Sequence, residues 1–76
     1  MDASRLRKRS VLVARHKTSV SLEAAFWDEL RAIAAARDIS LNALIAEIDQ
    51  SRGGNLSSAI RLYVLEWLRG RAATRR

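Results

Sequence analysis

The sequence predicts a mainly α-helical fold with one N-terminal β-strand. Three observations carry that reading: a period of two in Thr18–Leu22, a helical period that begins at Glu23, and two further stretches of helical spacing after residue 40. The chain has 76 residues, enough for one domain with a small core. It contains neither cysteine nor proline and a single histidine. A disulfide framework, a thiolate metal site and a histidine cluster are therefore excluded, and the staples common in small proteins are missing.

Residues 1–9 lack periodicity and are expected to form a flexible basic arm. Ser10–Ala14 (SVLVA) is a short β-branched run. Thr18–Leu22 (TSVSL) alternates, with Val20 and Leu22 on one side and Ser19 and Ser21 on the other, as in a half-buried strand. From Glu23 the period changes. Phe26, Trp27, Leu30, Ile33 and Ala34 share one face of an amphipathic helix ending near Arg37. Ser40 is placed to cap a second, shorter helix whose stripe is Leu41, Leu44, Ile45 and Ile48. Gly53-Gly54 ends it, since glycine readily takes the left-handed conformation past a helix, and Asn55 caps a third helix over Leu56–Leu68.

That third helix is apolar on most sides. Leu56, Ile60, Tyr63, Val64 and Trp67 form one stripe, and Ala59, Leu62, Leu65 and Leu68 spread around the rest. Two short helices cannot enclose it, so a second subunit is expected. The strand makes the same demand, because a lone strand leaves a row of unpaired backbone groups. Folding SVLVA back on TSVSL would need a turn at Ala14–Lys17, which has no Gly or Asn, so pairing with the same strand of another chain is preferred.

The formal charge of +6 lies at the ends. Residues 1–22 carry six basic side chains (Arg5, Arg7, Lys8, Arg9, Arg15, Lys17) against Asp2, residues 23–69 carry five against seven acids, and residues 70–76 add Arg71, Arg75 and Arg76. A positive arm on a faintly acidic body suits a polyanion, because Lys and Arg release the counterions condensed on phosphates. Apolar runs extend only four or five residues, where a membrane span needs about 20. No apolar stretch follows Met1–Arg9 as in a secretory signal, so a cytoplasmic protein is expected. The acids Asp28, Glu29, Glu47, Asp49 and Glu66 fall opposite or beside apolar stripes, and Gly53-Gly54 is too short to cradle a nucleotide. No catalytic constellation, cofactor or small-molecule substrate is expected. The spacing of Phe26, Trp27, Tyr63 and Trp67 with the aliphatic stripes assigns these rings to the core rather than to base stacking.

The run RKRSVLVARHKTSVSLEAAFWDEL, then SLNALIAEID and NLSSAIRLYVLEWL, resembles the ribbon-helix-helix (Arc/Met repressor-like) DNA-binding superfamily, in particular a small bacterial subfamily. The resemblance covers about residues 7–69. It implies an intertwined homodimer whose intermolecular two-stranded antiparallel ribbon enters the major groove of double-stranded DNA. The division implied is an arm at 1–9, the ribbon-helix-helix domain at 10–69 and a basic tail at 70–76. Lys17, Ser19 and Ser21 would read base edges. Arg5, Arg7, Lys8, Arg9 and Arg15, with Asn55, Ser57 and Ser58 at a helix start, would contact phosphates. Val20, Leu22, Phe26, Trp27, Leu30, Ile60, Tyr63, Val64 and Trp67 would form the dimer core. The helix at 41–50 exceeds the minimal pattern; 55–68 is taken as the counterpart of the superfamily's second helix, with the reverse assignment open. Arg15 stands where the subfamily commonly has glycine, so positive φ is not expected there. The function implied is a sequence-specific transcriptional regulator, by the superfamily's habit a repressor, in the bacterial cytoplasm. The alternative is an interaction module, such as an antitoxin or adaptor, that binds an acidic partner.

Overall fold

The computed structural model describes residues 3–51 and 54–74, with side chains as far as residue 70. The order is strand β1 (Leu6–Val13), strand β2 (His16–Glu23), then helices α1 (Ala24–Arg37), α2 (Leu41–Ser51) and α3 (Leu56–Thr74). The two strands form one antiparallel hairpin, in register from Leu6 opposite Glu23 to Val13 opposite His16. The hairpin replaces the single strand expected from sequence. β2 finds its ladder partner in its own chain.

The turn that makes this possible is Ala14-Arg15. Both residues have positive φ, 52° and 70°, the signature of the two-residue type I′ turn whose twist matches that of the flanking strands. Neither residue is Gly or Asn, so the turn carries strain of order 1–2 kcal/mol per residue, offset by the ladder it closes. Arg15 therefore does adopt the left-handed conformation, against the expectation from its place in the sequence.

Opposite residues of an antiparallel ladder project to the same face, which sorts the hairpin. Val11, Val13, Val20 and Leu22 point towards the helices and are buried. They meet Trp27, Leu30, Ile33 and Ala34 of α1, Leu44, Ile45 and Ile48 of α2, and Ile60 and Val64 of α3 in one core. Six residues expected in a dimer core, Val20, Leu22, Trp27, Leu30, Ile60 and Val64, are thus buried within one chain. Phe26, Tyr63 and Trp67 pack against that core half-buried. The additional strand adds Val11 and Val13 to this core, while Leu62, Leu65 and Leu68 of α3 stay exposed.

The expected arm is largely ordered. Residues 6–9 belong to β1, and the carbonyls of Arg5 and Ala3 accept hydrogen bonds from the Ala24 and Ala25 N–H groups at 2.9 and 3.0 Å. These carbonyls do for the start of α1 what a capping side chain does elsewhere, since Glu23 makes no side-chain cap bond. At its other end, Asp38 is left-handed (φ 57°), and the Asp38 and Ile39 N–H groups reach back to Ala35 and Ala34. The Ser40 and Asn55 caps form as expected: Ser40 Oγ accepts from the Ala43 N–H at 3.0 Å and Asn55 Oδ1 from the Ser58 N–H at 3.1 Å. Gly53 lies outside the described residues, and Gly54 does not have positive φ. α3 continues to Thr74, into the stretch expected as a tail; Arg75, Arg76 and the Arg71 side chain lie outside the described residues.

Candidate nucleic-acid interface

The face of the hairpin turned away from the helices comprises Leu6, Lys8, Ser10 and Leu12 from β1 and Lys17, Ser19 and Ser21 from β2, paired as Lys8–Ser21, Ser10–Ser19 and Leu12–Lys17. Lys17, Ser19 and Ser21 lie on the side that the alternation of β2 implied. The structure brings them together with three β1 residues that the sequence reading passed over. Their signal was present in the alternation of Val11 and Val13 with Ser10 and Leu12, but Arg7 and Arg9 continue the inward parity as charges and hide it.

The remaining basic residues divide. Lys8 projects outward, and Arg15 lies exposed in the turn. Arg7 and Arg9 fall on the helix side, opposite Leu22 and Val20. The Arg9 guanidinium stands 5.5 Å above the Trp27 ring, a cation–π arrangement, while the Trp27 Nε1–H donates to the Arg7 carbonyl at 3.0 Å. The one fully buried aromatic ring among the described residues is thereby fixed under the basic strand with its polar atom satisfied. Arg5 stands ahead of β1, exposed.

At the far end of β2, Glu23 would set a negative charge beside this surface. Arg61 of α3 removes it, donating from Nε at 2.9 Å and from Nη2 at 3.2 Å to the two carboxylate oxygens. These bonds hold the Glu23 carboxyl below its usual pKa. Arg61 also lies 5.9 Å from the Phe26 ring. A second fork joins Arg37 to both oxygens of Glu47, and Arg37 reaches the Tyr63 hydroxyl at 3.0 Å; the Glu47 carboxyl is lowered in the same way. Partners far apart in sequence make both forks, so no local motif announces them.

The start of α3 flanks the hairpin. Val13, His16, Thr18 and Ser19 face Asp49, Asn55 and Ser57 across an open cleft of about 490 Å³. Two groups assigned separately from sequence, the reading strand and the Asn55–Ser58 helix start, thus border one depression. Thr18, opposite Val11, is half-buried on the helix side. Among the described residues no group of His, Asp and Glu could hold a metal ion, and no helix is long and apolar enough to cross a membrane.

A basic, hydroxyl-rich β-hairpin laid over three helices defines a small protein of the β-ribbon type. Residues 6–68 match the family model described as the ribbon-helix-helix domain, and the chain belongs to that family. The family is typically one of DNA-binding transcription regulators or antitoxins, generally without enzymatic activity. No curated protein matches the chain. Among solved structures it is similar to an uncharacterized protein from Bordetella pertussis Tohama I, with a TM-score of 0.85 and 27% identity over 99% of this chain. The chain spans 65% of the length of that protein.

Proposed function

We propose that the protein is a sequence-specific double-stranded DNA-binding regulator, in keeping with the family a repressor, that presents the outward face of its hairpin to the major groove. The observation that carries this reading is the composition of that face: lysines and serines on both strands, with the carboxylate at its border, Glu23, already engaged by Arg61. Two strands about 4.8 Å apart fit a groove about 12 Å wide, whereas a four-stranded sheet formed by edge pairing of two hairpins would overfill it. The hairpin of one chain is therefore the inserted ribbon. Lys17, Ser19 and Ser21 exchange hydrogen bonds with base edges; Arg5, Lys8 and Arg15 contact phosphates, joined by Asn55, Ser57 and Ser58 where α3 begins.

The working form is a homodimer in the bacterial cytoplasm. Leu62, Leu65 and Leu68 of α3 remain 60%, 46% and 38% exposed, and an apolar notch lined by Ala25, Phe26, Val64 and Leu68 lies beside them. A second copy covers this surface and places a second hairpin on a neighbouring half-site. The test is titration of the protein with a duplex of about 30 base pairs at several salt concentrations, beside sedimentation of the free protein. Binding that weakens steeply with salt, by a dimer, supports the reading. A well-folded protein that ignores duplex at low salt contradicts it, and a monomer in solution turns the leucines towards a different protein partner.

A further inference from the structure

We infer that β1 is a second reading strand and that Leu12 makes an apolar contact with the C5-methyl group of a thymine, which gives the protein a preference that serines and lysines cannot supply. The inference rests on the DNA-binding reading and adds to it a residue and the base feature it recognises. Leu12 is directly opposite Lys17 and shares its outward face. It is 54% exposed, while its neighbours Val11 and Val13 are 5% and 7% exposed and hold the strand to the core. Leu12 thus contributes little to the core. Its apolar surface stands in water beside a lysine, where a polar residue would serve the hairpin as well.

The other outward leucine, Leu6, is opposite Glu23, whose carboxylate is held by Arg61 at the far end of the ribbon. Of the two, Leu12 is the one that combines an exposed aliphatic group with a cationic cross-strand partner, close to Arg15 in the turn. Lys17 donates to guanine O6 and N7 or to phosphate, and serine donates or accepts with several bases. Neither detects the methyl group that distinguishes thymine from uracil. An aliphatic side chain does, because burying that methyl removes apolar surface from water.

The experiment begins with selection of bound sequences from a randomised duplex pool by the wild-type protein. Each thymidine of the selected site is then replaced singly by deoxyuridine, which removes the methyl group and leaves every hydrogen-bonding atom in place. Wild type is expected to lose about fourfold in affinity at one position per half-site, the worth of one buried methyl group. L12A, with unchanged melting temperature, is expected to bind the thymidine and deoxyuridine duplexes equally. Equal wild-type binding to both duplexes at every position, or a thymidine preference retained by L12A, overturns the inference while leaving the role of β2 intact. If selection by wild type yields no preferred sequence, the reader itself fails and the inference falls with it. Loss by L12A of binding to phosphatidylglycerol vesicles, with the thymidine preference unmoved, overturns it in favour of a lipid surface.

Discussion

The two faces of the hairpin are built from alternate residues of the same two strands, yet they have different relations to the rest of the molecule. Val11, Val13, Val20 and Leu22 are buried against three helices. Lys8, Ser10, Leu12, Lys17 and Ser19 are exposed, and none of them enters the core. The inner face therefore determines whether the chain folds, and the outer face is free to determine what it binds. A period of two keeps these tasks apart within single strands. Recognition can change on the outer face without loss of the domain, provided that the turn and the inner valines are kept.

The comparison is sharpest at the core. Trp27→Ala removes a side chain that is 1% exposed, together with the ring beneath Arg9, and is expected to cost about 3–5 kcal/mol in chemical denaturation, a large part of the stability of so small a domain. The outward triple variant Lys17→Ala/Ser19→Ala/Ser21→Ala is expected to keep the wild-type denaturation midpoint, each change staying within about 0.5 kcal/mol, and to lose sequence preference on DNA. A triple variant that fails to fold would break the division between the faces. On α3 the same contrast applies: Leu62→Glu/Leu65→Glu is expected to weaken self-association at least tenfold, about 1.4 kcal/mol, in sedimentation while leaving helix content unchanged.

The turn offers a smaller effect. Ala14→Asn/Arg15→Gly supplies the residues that positive φ favours, and stability is expected to rise by about 1 kcal/mol, with duplex affinity lowered by the lost Arg15 charge. The smallest effect is electrostatic. Glu23 and Glu47 are held below the ordinary carboxyl value of 4.5 by hydrogen bonds from Arg61 and Arg37. A lowered folded-state pKa contributes stability that is present above the ordinary value and is lost as pH falls through the folded value. Glu47→Gln is therefore expected to be slightly less stable than wild type at neutral pH and to show a shallower loss below about pH 4.5, measured by thermal melts across that range.

Much of this architecture was legible in local patterns. The parity of β2, the start of α1 after Glu23, and the Ser40 and Asn55 caps each depend on residues within a few positions of one another, where spacing alone is diagnostic. β1 was not legible over its full length. Arg7, Lys8 and Arg9 read as a charged arm because the inward parity of Arg7 and Arg9 is completed by Trp27, twenty residues away from Arg7, whose indole accepts Arg9 above its ring and donates to the Arg7 carbonyl. The turn misled for a related reason. Ala14-Arg15 has no intrinsic preference for positive φ, and the long ladder on either side imposes it. Once the hairpin closes within the chain, a core ascribed to two subunits becomes the core of one, and the apolar surface left for a partner contracts to the leucines of α3 and the notch beside Phe26. For the binding face, β2 supplied three of the seven residues, and Leu6, Ser10 and Leu12 of β1 needed the register.

The central claim is that the outward face of the hairpin contacts DNA and the inward face does not. Its most direct measurement is an NMR titration of the methyl-labelled and amide-labelled protein with the selected duplex, following the resonances of both strands at saturation. The account predicts large shifts for Lys8, Ser10, Leu12, Lys17, Ser19 and Ser21, and essentially unmoved methyl groups for Val11, Val13, Val20 and Leu22. Shifts confined to α3, or spread over both faces of the hairpin, would contradict it.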